Sequence, residues 1–169
     1  MRWGLIPFWA KEPAIGSKMI NARSETAAEK PAFKASFRRK RCIVPVDGYY
    51  EWQKDGKLKL PWRIVLPSRS LFGLAGLWDA WQTPEGNLLY TFTILTIEPV
   101  DSVRSIHNRM PVVLQPENEQ LWLHHPFNSP EDAVFLQSLL KPAAELEAYR
   151  VSTLVNNPAN EGPECIQPI

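Results

Sequence analysis

Arg41-Cys42-Ile43-Val44-Pro45-Val46-Asp47-Gly48-Tyr49-Tyr50-Glu51-Trp52 is an apolar run, a turn signal and an aromatic run enclosing one carboxylate. Strand alternation puts Tyr49 and Glu51 on one face and Tyr50 and Trp52 on the other. A carboxylate set on a rigid strand among aromatic rings is desolvated, which raises its pKa and leaves a usable protonated fraction near neutrality. Such a group can act as a general acid. The alternative is that Glu51 points at water or pairs with a nearby basic residue, as most strand glutamates do.

Outward from this stretch, the pattern predicts strands over 42–46, 49–53, 61–66, 71–78 and 88–96. The turn pairs Asp55-Gly56 and Glu85-Gly86 lie between them. Residues 88–96 carry the strongest strand signal, with Thr91 and Thr93 alternating and Thr96 following. Glycines within Leu71–Trp78 mark places where a sheet bends or another part of the chain comes close. Short helices are predicted from Ser24 to Ala27-Ala28, with Ser24 or Asn21 as the cap, and from Ala32 to about Phe37. Two more follow over 117–125 and from Ser129-Pro130-Glu131-Asp132 to about Leu140, the latter with good start chemistry. A short strand at Val112–Leu114 and a last strand near Val151–Thr153 complete the pattern. The class is α+β in a single domain, with mainly antiparallel strands that form a curved sheet or partly closed barrel.

Composition narrows the function. With 19 Lys and Arg against 18 Asp and Glu, the net charge of +1 gives no global case for a polyanion or a membrane surface, so any such site is a local patch. Two cysteines make no disulfide framework, and Cys42, inside an apolar run, reads as a small buried hydrophobe. No CxxC or HExxH spacing supports a metal site, and no cofactor motif is present. The absence of an 18-residue apolar run or a leader predicts a cytoplasmic protein, with no membrane partner.

Polar groups stand where packing does not demand them in three places: Glu51, Asn21 with Arg23, and His107 with Asn108 and Arg109. A loop histidine beside an arginine suits anion binding or proton transfer, against the alternative of a satisfied structural histidine. His124 and His125, at a helix end, read as structural. The run Arg38-Arg39-Lys40-Arg41 is either a solvated helix terminus or a phosphate-facing patch.

Read together, five ordered motifs resemble the SOS response-associated peptidase (SRAP) family, whose members shield abasic sites in single-stranded DNA. They are Trp3-Gly4-Leu5-Ile6-Pro7, Asn21-Ala22-Arg23-Ser24-Glu25-Thr26, the 41–52 stretch, Leu74-Ala75-Gly76-Leu77-Trp78 and His107-Asn108-Arg109-Met110-Pro111. Val155-Asn156-Asn157-Pro158 is similar too, so the resemblance covers nearly the whole chain. It implies a distorted β-barrel with short flanking helices, a groove for single-stranded DNA and a monomer. In the family, an N-terminal cysteine condenses with the aldehyde of a ring-opened abasic site and closes a thiazolidine crosslink; the same cysteine is linked to an autopeptidase activity. Carried over by motif, Asn21 orients that cysteine, Glu51 is the acid–base group and His107 assists proton transfer against the lesion. Arg23 and Arg109 bind phosphates, and Trp3 offers a stacking face.

One departure is substantial. The family opens Met-Cys-Gly-Arg, and Met1 here falls at its internal Arg-Trp-Gly-Leu-Ile-Pro segment. Neither Cys42 nor Cys165 is the N-terminal nucleophile. The expectation is a domain over 1–169 lacking the family's N-terminal segment, either a piece of an active enzyme or a short form that retains only DNA binding.

Overall fold

The computed structural model describes residues 1–141 and 145–169. They divide into two compact units, one formed by 1–45, 73–97 and 111–141, the other by 46–72, 98–110 and 145–169.

The first unit is built around β7 (Leu88–Ile97), which pairs antiparallel with β6 (Phe72–Gln82). Thr91 and Thr93 share one face of β7 and are fully buried, while Thr96 is buried on the other, and the Thr91 hydroxyl accepts the Ile6 N–H at 2.8 Å. β3 (Arg41–Val46) lies on the far side of β6. On the other edge of β7 sit two short parallel strands, β1 (Arg2–Trp3) and β2 (Asn21–Arg23). Where β6 and β7 diverge, Val112 inserts between them, its N–H donating to Leu95 O and its carbonyl accepting from Ala75 N–H. It follows directly on β8 (Met110–Pro111). Gly76 of β6 is small for a physical reason, since a Cβ there would lie 2.9 Å from Cys42 Sγ. Gly4, at φ +107°, has a backbone that L side chains rarely adopt and lies against the backbone of Gly16.

Four helices belong to this unit: α1 (Ser24–Ala27), α2 (Pro31–Arg39), α4 (Pro116–His124) and α5 (Pro130–Ser138), while α3 (Asp101–Arg104) lies in the other. Each of α2, α4 and α5 starts with proline, whose missing N–H costs nothing there. α5 has the expected capping box, with Asp132 accepting the Ser129 N–H at 2.8 Å. The core joins sheet and helices through Leu5, Phe37, Leu77, Leu95, Trp122, Leu136 and Leu140.

Two polar groups tie this unit together. Arg41 is turned inward: its guanidinium donates to the carbonyls of Phe37, Arg38, Trp122 and His125, joining the ends of α2 and α4. The carbonyls left unsatisfied at two helix ends thus share one cation. Asp79, 1% exposed, accepts from Phe8 N–H and Ala80 N–H and pairs with Lys40 Nζ at 2.5 Å. Asp79→Ala leaves those donors without their acceptor, and urea unfolding is expected to show a loss of about 2–3 kcal/mol.

The second unit has its own antiparallel sheet, ordered β4 (Tyr49–Asp55), β5 (Leu58–Val65), β9 (Glu147–Arg150). β4 and β5 form a hairpin turned at Gly56-Lys57, one residue beyond the expected Asp55-Gly56 pair, with Gly56 at φ +58°. Arg63, buried in this sheet, pairs with Asp47 at 2.9 Å.

The α+β class stands, with one correction of detail. Among the described residues the strands form two separate sheets and close no barrel, because the chain leaves the first sheet at Asp47-Gly48 instead of pairing β4 with β3. The long pairings are antiparallel as expected, and only the short β1 and β2 run parallel to β7 among the register-defined pairs. No helix among the described residues is long and apolar enough to cross a membrane.

Candidate functional site

In the second unit, Glu51 and His107 come together. Glu51 projects from β4, aligned with Trp62 of β5. β4 is the edge strand of its sheet. Beyond it lies a cleft of about 440 Å³ lined by Glu51, Trp52, Lys54, Lys59, His107 and Asn156.

The Glu51 carboxylate accepts the Trp52 N–H through Oε1 at 3.2 Å and faces His107 Nδ1 through Oε2 at 3.9 Å, an ion-pair distance too long for a hydrogen bond. Its side chain is 24% exposed. Burial raises the Glu51 pKa from its ordinary value, while the Trp52 N–H and the His107 charge oppose that rise. Desolvation wins, so the acid stays protonated to higher pH than a solvated glutamate. Tyr49 lies on the same strand face, as alternation requires, and its buried hydroxyl is pushed up by burial and then by the Glu51 charge, so it remains a neutral phenol.

His107 is set by its own loop. Its Nδ1 lies 3.2 Å from Arg109 N and 3.1 Å from Arg109 O. With a lone pair on Nδ1 the ring accepts the Arg109 N–H; with a proton there it donates to the Arg109 carbonyl. Either protonation state therefore has a hydrogen-bond partner within its own loop. Arg109, on the same loop, is positioned by this clasp.

The first unit holds the other three residues. Aligned pairs put Trp3 opposite Phe92, Asn21 opposite Ile94 and Arg23 opposite Thr96. These β7 positions alternate, so Trp3, Asn21 and Arg23 share one face of the sheet. All three are exposed, Trp3 by 52%. Trp3 stacks on Phe92 with centroids 6.5 Å apart and rings 10° from parallel, and its Nε1–H donates to Ile20 O at 2.7 Å. That bond holds an indole next to Asn21 with its outer face open.

Other expectations change. Asn21 is no helix cap: it belongs to β2, and α1 begins after Arg23 without a side-chain cap. The basic run at 38–41 splits. Arg41 is consumed by carbonyls and Lys40 by Asp79, while Arg38 and Arg39 stay exposed, Arg38 lying over the Phe127 ring at 5.1 Å. His125 is structural, paired with Asp132 at 2.8 Å, and hydrogen bonds from the Asn128 N–H, His125 and the Ser129 N–H hold the Asp132 pKa down to about 2. Cys42 and Cys165 are free thiols, and burial raises Cys42 to about 11, far from a thiolate at neutral pH.

Sequence reading did not identify Lys54, Lys59 and Asn156 as site residues. Asn156 had a signal, since Val155-Asn156-Asn157-Pro158 belongs to the resemblance; its Oδ1 accepts the Trp52 Nε1–H at 2.7 Å. The lysines had none beyond alternation with Trp52.

Comparison with known proteins agrees with the motif order. The sequence profile described as SOS response associated peptidase (SRAP) matches residues 1–158. The chain is 55% identical over 170 residues to the abasic site processing protein YoqW of Bacillus subtilis, covering 99% of this chain and 75% of that protein. It is 37% identical to the abasic site processing protein HMCES of Xenopus tropicalis, spanning 56% of that longer protein. A crystal structure of a Bacteroides thetaiotaomicron protein superposes with a TM-score of 0.86 at 34% identity, over 99% of this chain and 75% of that one. Five motifs in order, a family profile over most of the length and a shared fold at this identity place the chain in the SOS response-associated peptidase (SRAP) family.

Proposed function

We propose that this chain binds single-stranded DNA and takes part in processing abasic sites, with Glu51 as the acid–base group. The observation that carries the proposal is the desolvated Glu51 carboxylate held 3.9 Å from His107 at the rim of an open cleft. The names of the relatives support the substrate class.

In this mechanism the amine of an N-terminal cysteine adds to the aldehyde of a ring-opened abasic deoxyribose. Loss of water gives an imine, and addition of the thiol across its C=N bond closes a thiazolidine. Each proton transfer needs a group that both gives and takes protons near neutral pH, and the raised pKa of Glu51 fits it for that. Protonated Glu51 opens the sugar by donating to the ring oxygen, regains a proton from the anomeric hydroxyl as the aldehyde forms, and gives that proton to the water that leaves the carbinolamine. His107 assists beside it, and Asn21 orients the cysteine. Trp3 stacks a base, while Arg23 and Arg109 take phosphates, for which planar guanidinium forks are suited. The chain acts as a cytoplasmic monomer, and residues 1–169 function as one family domain. Autopeptidase activity draws on the same cysteine, which residues 1–169 do not supply at an N-terminus.

A second reading, non-covalent binding of single-stranded DNA, is favoured by the exposed row of Trp3, Asn21 and Arg23, which needs no nucleophile to hold a strand.

Incubation with abasic single-stranded DNA, followed by a denaturing gel, separates the two. A chain extended with a Met-Cys-Gly-Arg segment is expected to form a heat-stable adduct, slowed by His107→Ala, while the chain as given binds without crosslinking. Binding by both forms with no adduct from either favours the second reading. An adduct from the chain as given overturns the assignment of the nucleophile.

A further inference from the structure

The β4–β5 hairpin carries two lysines in an arrangement that folding alone does not favour. Lys54 and Lys59 are aligned across the two strands, so their side chains leave the same face at the same level. Two residues back along β4, Trp52 is aligned with Pro61, which has no N–H to donate, and the Trp52 N–H is taken by Glu51 Oε1. That pair is therefore not hydrogen-bonded across the strands, and by alternation neither is Lys54 with Lys59. Side chains approach most closely at such pairs, with Cα atoms about 4.5 Å apart. Like charges set directly opposite each other destabilise a hairpin.

Nothing among the described residues relieves this. Both lysines are exposed, and neither makes an ion pair among the described residues. Asp55, the nearest acid in sequence, is aligned with Leu58 on the opposite face. Lys54 and Lys59 instead line the cleft shared by Glu51 and His107. Trp52 stands on their face of the hairpin, its indole fixed by Asn156. An aromatic ring followed by two cations on one face matches what holds a single strand: a base stacks on the ring and the phosphates lie along the charges.

We infer that Lys54 and Lys59 form a phosphate grip for the DNA strand that leaves the Glu51–His107 cleft, with Trp52 as the platform for the adjoining base. The inference rests on the proposed function and adds where the backbone next to the lesion is held. The phosphates supply the counter-charge that the described residues do not give the lysine pair.

The test is binding of the full chain to a fluorescent single-stranded oligonucleotide without an abasic site, measured by anisotropy over a range of salt. Each phosphate contact on a single strand contributes about 0.7 to the slope of log affinity against log salt. Lys54→Gln with Lys59→Gln is expected to lower the slope by about 1.4, and Lys54→Arg with Lys59→Arg to keep it. The Gln pair removes a repulsion, so its melting temperature is expected to be no lower than the parent's, and reduced binding then is not lost folding. A salt-dependent parent whose slope the Gln pair leaves unchanged overturns the grip alone. A parent with no salt-dependent affinity overturns the proposed function and this inference with it.

Discussion

Glu51→Gln, in a chain carrying a family-type N-terminal segment, is expected to slow adduct formation on abasic single-stranded DNA by about 100-fold or more. Glutamine keeps the size of the side chain and an oxygen for the Trp52 N–H, so strand geometry and affinity for intact DNA are expected to stay unchanged. What it loses is the exchangeable proton. The pH dependence tests the same point independently. Burial raises the Glu51 pKa in the folded chain, so the acid form persists above the ordinary range and the parent rate should show a limb there that the variant lacks. Stability follows the same sign. Between the ordinary and the raised pKa the folded chain binds more protons than the unfolded one, so this group's contribution to stability falls as pH rises through that window. Glu51→Gln should flatten that fall in urea titrations. An unchanged rate with an unchanged pH profile removes Glu51 from the chemistry.

Trp122→Ala is the largest expected loss of stability, about 3–5 kcal/mol, enough to unfold much of a marginally stable chain. The indole is wholly buried in the core of the first unit, meets Phe37 edge-on with centroids 5.8 Å apart, and donates its Nε1–H to Cys42 O at 3.0 Å. The Arg41 guanidinium lies 5.7 Å from the ring and binds the carbonyl of the same residue. Truncation opens a cavity and leaves a β3 carbonyl without its partner. Trp122→Phe, which restores most of the volume but not the N–H, is expected to cost about 1–2 kcal/mol, from the orphaned carbonyl and the volume still missing. Equal losses from both variants would mean that the hydrogen bond, not the packing, carries the effect.

Long strands with their own alternation were legible: residues 88–96 and 49–53 fall within β7 and β4. The capping box of α5 was legible because its chemistry is local. β1 and β2 were not, because strands this short show no period of their own and exist only by pairing with β7. That pairing also explains Asn21, whose position before a short helix reads as a cap while the distant strand claims its backbone. Arg41 was hidden by its neighbours: four basic residues in a row look alike until three-dimensional structure turns one of them inward. At the site, alternation correctly set Tyr49 and Glu51 on one face. The approach of His107 was visible only through family motif order, since nothing local joins residue 51 to residue 107. The lysine pair required the register of the hairpin.

Because β1 and β2 are both laid along β7, that strand works as a ruler. Trp3 and Arg23 are fixed at its marks 92 and 96, about 13 Å apart at the usual rise per residue, whatever the path of the chain between them. The segment between them is itself held, with Leu5 in the core, Ile6 on Thr91 and Phe8 on Asp79, so the pitch is secured by more than its two ends. A slip of β2 by one position would instead turn Asn21 and Arg23 inward together and bring Ala22 to the surface. The spacing of the exposed row is thus stored in a strand that itself contributes none of those three side chains.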